Sequence, residues 1–137
     1  MKIQGGCHCG AIAFEGEADP AQTTICHCTD CQAITGSAFR VNIRVAGKDF
    51  RLTRGEPARY LKTTADSGNK RVQAFCPNCG TQLFASAPGD DPPAYTVRVG
   101  TLRQRDQLAP QAQQWWRSAQ GWVTGLAGLP RHDKGAA

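Results

Sequence analysis

Apolar and polar residues alternate along much of the chain. In "RVNIRV" at 40–45, Val41, Ile43 and Val45 fall on one side and Arg40, Asn42 and Arg44 on the other. That period of two is what a half-buried strand requires. "YTVRV" at 95–99 repeats it, with Tyr95, Val97 and Val99 set against Thr96 and Arg98. Shorter strands are expected at 11–15, 23–26, 50–53, 59–63, 71–75 and 82–86, separated by the turn formers "ADP", "AGKD", "RGEP", "DSGN" and "PGDDPP". Strands this short and this regularly punctuated predict a mainly β, single-domain fold. One helical turn is expected in "TDCQAITG", after Cys28 and ended by Gly36. Trp115, Trp116 and Trp122 are expected to pack in the core or in a flap, because large aromatics dominate burial. The domain is expected to span 1–130, with 131–137 as a flexible tail.

The 137 residues suit one domain with a modest core. No apolar run approaches a membrane span, and "MKIQGGCHCG" lacks the apolar stretch of a signal peptide, so a cytoplasmic protein without a membrane partner is expected. The net charge of +5 is unevenly spread: residues 40–71 hold nine Lys or Arg against three acids. A segment this basic suits an anionic ligand, and it equally suits a solvated outer face of strands. Aromatic residues are not interleaved with the basic ones as a single-strand nucleic-acid platform needs, which argues against nucleic acid.

The seven cysteines change the picture most. An odd number in a cytoplasmic chain fits metal binding better than a closed disulfide set. They fall in three clusters, "GGCHCG" (Cys7, Cys9), "CHCTDC" (Cys26, Cys28, Cys31) and "FCPNCG" (Cys76, Cys79). On an extended chain both sulfurs of C-x-C point to one face. In "CPNCG" a tight turn, with Gly80 free to take positive φ, brings both thiolates to one ion. The natural partition is a closed four-sulfur site of Cys7, Cys9, Cys76 and Cys79, and a three-sulfur site of Cys26, Cys28 and Cys31. Four thiolates describe a structural zinc, whereas three with one open corner describe a catalytic one. The C-x-C pairs fit none of the usual iron–sulfur spacings. His8 and His27 are rival ligands, although a strand would turn each ring away from its neighbouring sulfurs. A triplet without metal, or one completed by a fourth protein ligand, is the structural alternative.

"GGCHCGAIAFE", "CHCTDCQAITGSAF" and "FCPNCGTQLF" together resemble the signature segments of the glutathione-dependent formaldehyde-activating enzyme family, which includes centromere-protein-V-like proteins. The resemblance continues through "VRVGTL", "LAP" and "GWVTGLAGLP". It implies a curved β-sheet zinc fold of the methionine sulfoxide reductase B type, with two zincs per chain. It also implies structural roles for Cys7, Cys9, Cys76 and Cys79, and an active site at Cys26, Cys28 and Cys31. The implied reaction is that of a carbon–sulfur lyase, which joins glutathione to formaldehyde as S-hydroxymethylglutathione. The chain departs from relatives at Arg103 and at Gln113 and Gln114, where a histidine is frequent.

The expected chemistry follows from the site. A cation held by three thiolates can lower the pKa of an incoming thiol or polarise an aldehyde oxygen. Arg40 and Arg44, soon after the triplet, are candidates to hold the thiol's carboxylates. The alternative reading is a non-enzymatic zinc module that contacts nucleic acid or protein through the basic segment.

Overall fold

The computed structural model describes residues 1–135; the last two residues of the expected tail, Ala136 and Ala137, lie outside the described residues. Among the described residues ten strands form two sheets. A three-stranded sheet has the order β1 (Lys2–Gly6), β2 (Ala13–Glu17), β5 (Phe50–Arg54). A seven-stranded sheet runs β10 (Ala112–Gln114), β3 (Thr23–Cys26), β4 (Arg40–Ala46), β9 (Ala94–Arg98), β8 (Gln82–Ser86), β7 (Arg71–Phe75), β6 (Ala58–Lys62). Every pairing is antiparallel except β10 with β3. The mainly β, single-domain expectation holds.

The alternation read from "RVNIRV" is the register of the large sheet. Ile43 lies opposite Val97, and both are fully buried. With Ile3, Phe14, Phe50, Leu83 and Phe84 they fill one core. Each such side chain taken from water contributes about 1.5–3 kcal/mol before the entropy of ordering is subtracted. Phe50 stacks on Tyr95 with ring centroids 4.3 Å apart, tying the small sheet to the large one. No helix among the described residues is long and apolar enough to cross a membrane.

The one α-helix among the described residues, α1 (Thr29–Thr35), is placed by its ends. Cys28 is the N-cap, its Sγ accepting the Cys31 N–H at 3.2 Å. Gly36 closes the helix at φ 65°, a conformation only glycine adopts freely. The helix therefore begins at the cysteine triplet.

Two expectations are corrected. All three tryptophans are exposed, between 42% and 56%, so the core alternative of their expected packing fails and the flap alternative is left. The polar side of β4 is not a uniformly solvated face, because Arg40 and Asn42 are buried and only Arg44 is exposed.

Candidate metal centres

The three cysteine clusters converge into two groups: Cys7, Cys9, Cys76 and Cys79, and separately Cys26, Cys28 and Cys31. Within each group all sulfurs lie within 4.8 Å of one another. This is the grouping expected from the spacing. His8 is exposed and joins neither group. His27 is fully buried and also joins neither.

The four-sulfur group is built from two turns. In the first, the Cys7 N–H donates to the Ile12 carbonyl at 3.0 Å, and the Ile12 N–H donates back to Cys7 Sγ at 3.1 Å. In the second, Gly80 at φ 78° donates its N–H to the Cys76 carbonyl at 2.9 Å, and the Cys79 N–H points at Cys76 Sγ at 3.5 Å. Thr81 joins the turns: its Oγ1 accepts the His8 N–H at 3.0 Å and lies 3.2 Å from Cys79 Sγ. That hydroxyl, with nearby backbone donors, pulls the Cys79 thiol down to about 5. Cys7 and Cys9 sulfurs are 3.6 Å apart, and Cys9 and Cys76 sulfurs 3.8 Å. A tetrahedral zinc with ~2.3 Å bonds to sulfur would set its ligands about 3.8 Å apart. The donor set therefore fits a closed metal site.

The triplet is assembled by three elements. Cys26 ends β3, directly across from Arg40 on β4; Cys28 caps α1; Cys31 lies in its first turn. Cys26 and Cys31 are buried, whereas Cys28 is partly exposed. A hydrogen bond from Cys31 pulls the Cys26 thiol down, and the same bond, with burial, pushes Cys31 up. Burial, with Cys31 beside it, raises Cys28. Three thiols this close cannot all ionise unless a cation shares them, which a divalent ion would do. The group fits three ligands of a metal ion.

Cys28 alone of the triplet faces a cleft of about 460 Å³. Lys62 and Arg117 line it, each beside a carboxylate: Lys62 Nζ is 2.9 Å from Asp30, and Arg117 Nη2 is 3.2 Å from Asp66. Trp115 forms another wall, with the Arg117 guanidinium 5.1 Å from its ring centroid. Trp115 has φ 57° and ψ 39°, a left-handed backbone that an aromatic residue adopts only under constraint. The constraint is visible. Gln32 of α1 donates to the carbonyls of His27, at 2.8 Å, and Ser118, at 2.9 Å, while the Gln120 amide donates to Gln32 Oε1 at 2.8 Å. The C-terminal segment is thus strapped to the helix that carries Cys31.

Sequence reasoning missed Lys62, Trp115 and Arg117 as cleft residues. Arg40, offered as a carboxylate holder, is buried instead, donating to Gln73 at 3.2 Å and Gln82 at 2.7 Å. Arg44 is exposed but lines no wall of this cleft. The available signal was Trp115 and Trp116 next to Arg117, and the burial propensity of large aromatics pointed it toward the core instead.

A two-sheet β domain carrying a four-cysteine and a three-cysteine group defines a class of β domain whose cysteine groups can hold metal ions. Residues 2–118 match the family model of the glutathione-dependent formaldehyde-activating enzyme, and the chain belongs to that family. The fold is similar to the crystal structure of a Rhodobacter sphaeroides protein at TM-score 0.60 and 24% identity, over 81% of this chain and 99% of that one.

Proposed function

We propose that this protein is a zinc-dependent, carbon–sulfur lyase-like enzyme that activates glutathione or a similar thiol for addition to formaldehyde or a related small aldehyde. The observation that carries this reading is that Cys28, partly exposed, lines a cleft and opens the Cys26–Cys28–Cys31 group to it while its two partners stay buried. On this reading Cys26, Cys28 and Cys31 are the catalytic ligands, and Cys7, Cys9, Cys76 and Cys79 hold a second, structural zinc. The chemistry zinc supplies in the three-thiolate site is to lower the proton affinity of an incoming thiol.

The chain's own residues have separate tasks. Lys62 and Arg117 offer cations and Asp30 and Asp66 offer carboxylates, a rim of mixed sign. Glutathione, with one ammonium and two carboxylates, is complementary to such a rim. Trp115 forms an apolar wall that orients the thiol's carbon chain. The thiol gives its proton to solvent, its sulfur forms a bond to the carbonyl carbon, and the carbonyl oxygen takes a proton. No oxidant or reductant is needed. A cytoplasmic setting suits seven free cysteines.

Exchange spectroscopy by NMR on glutathione mixed with formaldehyde tests the reading. Adduct exchange should accelerate with the zinc-loaded protein and return to the uncatalysed rate with Cys28→Ser. Equal rates with and without the wild-type protein would remove the proposal.

A further inference from the structure

The outer face of the large sheet buries two guanidiniums, those of Arg40 and Arg98, 6% and 7% exposed. Gln73 Oε1 accepts from both, at 3.2 Å from Arg40 Nη1 and 2.6 Å from Arg98 Nη2. Arg98 also donates to Asn42 Oδ1 at 2.8 Å and the Thr96 carbonyl at 3.3 Å. Every one of these acceptors is neutral. No ion pair among the described residues includes Arg40 or Arg98, and the Nε of each has no hydrogen-bond partner there.

A buried charge without a counter-charge is costly, and arginine does not escape by losing its proton near neutrality. Burial, with Arg40 nearby, brings Arg98 down to about 9, which still leaves it charged at pH 7. Arg40 has a nearby source of negative charge. It is the cross-strand neighbour of Cys26, so the two side chains share a face, and the triplet's sulfurs favour its charged form. Three thiolates around a divalent ion carry one net negative charge, enough for one guanidinium. Arg98 lies one strand further on, opposite Asn42, and the same sulfurs favour its charged form less than burial opposes it, so one net negative charge is shared between two guanidiniums.

Arg98 also lines a cavity of about 440 Å³ on this face, with walls from Ile34 of α1, Tyr60 of β6 and Phe75 of β7. None of its lining residues is shared with the cleft at Cys28. Apolar walls around one or two directed polar groups are the usual make-up of a small-molecule site. We propose that this cavity binds a small carboxylate with an apolar, flat body, its carboxylate on Arg98 and its body between Ile34, Tyr60 and Phe75. The site would hold such an anion whether or not the Cys28 cleft handles a thiol.

Benzoate, titrated into the zinc-loaded full chain and followed by amide NMR and calorimetry, tests this, with benzamide as the uncharged counterpart. Benzoate should saturate one site, with shifts clustered at Ile34, Tyr60 and Phe75, and benzamide should bind at least about tenfold more weakly, since a charge-assisted contact is lost. Arg98→Gln should lower benzoate affinity at least about tenfold, with partial recovery in Arg98→Lys. Ile34→Trp, which fills the cavity and leaves Arg98 in place, should abolish binding, and it decides the matter if the Arg98 variants fail to fold. No saturable benzoate binding, equal affinity for benzamide, or binding that survives Ile34→Trp would overturn the proposal. Glutathione added to the benzoate complex separates two sources of the carboxylate. Displacement makes the cavity a subsite for the thiol's own carboxylates, and lack of displacement assigns it to a free carboxylate; both uphold an anion site. Because binding is read without turnover, its failure is distinct from failure of the proposed reaction.

Discussion

The Gln113 side-chain oxygen lies 2.8 Å from Nε2 of His27, so the histidine inside "CHC" is tethered to β10 and not to a metal group. Its ring meets Phe39 and Trp116 edge-on, at centroid distances of 5.5 and 5.3 Å. With the amide oxygen as acceptor, Nε2 carries the proton, and Nδ1 is a buried acceptor without a partner among the described residues. Gln113→Leu should leave the Nε2 donor unsatisfied as well, lowering stability by about 1–3 kcal/mol in urea unfolding. Metal content should not change in Gln113→Leu or in His27→Phe. Loss of a metal equivalent in His27→Phe would make the histidine a ligand.

The two cysteine groups should differ in what they do for the fold. Cys76→Ser breaks the group that joins the β1–β2 turn to the β7–β8 turn, and structural zinc in such a site is worth on the order of 10 kcal/mol of binding free energy. This variant should lose one metal equivalent and its cooperative thermal transition. Cys28→Ser should lose the other equivalent yet keep a melting temperature within a few degrees of wild type. Elemental analysis paired with thermal melts separates the two. Similar destabilisation by both substitutions would contradict the division of roles.

Acid should empty the groups in order. Metal release on acidification is a competition with protons for the thiolates, so ligands with raised proton affinity let go at higher pH. In the triplet Cys28 and Cys31 are raised and Cys26 is lowered. In the four-sulfur group Cys7 and Cys79 are lowered, Cys79 to about 5, and Cys76 is raised, so the balance of raised ligands lies with the triplet. As pH falls, the triplet's metal should leave first and the four-sulfur site's second. Release followed with a chromogenic chelator should show two steps, with the earlier one missing in Cys28→Ser. The reverse order would count against the assignment.

The Asp30–Lys62 pair at the cleft has its own pH signature. Lys62, helped by the Thr64 hydroxyl, holds Asp30 below the ordinary aspartate value. A depressed acid stabilises the folded state fully above its unfolded value, about 3.9, and loses that contribution as pH falls through the folded value. The pair is partly exposed, so the coupling should be no more than about 1 kcal/mol. A double-mutant cycle of Asp30→Asn and Lys62→Met should show it at pH 7 and lose most of it near pH 3. Equal coupling at both values would mean that the contact is not electrostatic.

Strand alternation and cysteine spacing made much of this legible before any coordinates. Val41, Ile43 and Val45 declared β4, and the C-x-C and C-x-x-C spacings declared which sulfurs meet. β1 was hidden because "KIQGG" offers a single buried side chain, Ile3. Its path is fixed by tightness: a Cβ on Gly5 would lie 2.5 Å from the Thr101 carbonyl oxygen. β10 was hidden because "AQQ" is wholly exposed and is a strand only through backbone pairing with β3, extended by His27 N–H donating to the Gln114 carbonyl at 3.0 Å. The cleft residues Lys62 and Arg117 lie 55 positions apart, so no local spacing could join them. Arg40 and Arg98 read as solvent-facing because alternation shows only that a side chain leaves the core, not whether a helix then covers it.

The proposed reaction requires an open corner in the Cys26–Cys28–Cys31 group that takes a thiol from solution. Cadmium-113 NMR of the cadmium-substituted protein tests this most directly. Two resonances should be present, and added glutathione should move one toward the position of the four-sulfur site while the other stays fixed. Two resonances that both hold still through an excess of glutathione, or a triplet signal already at the four-ligand position without it, would contradict the claim.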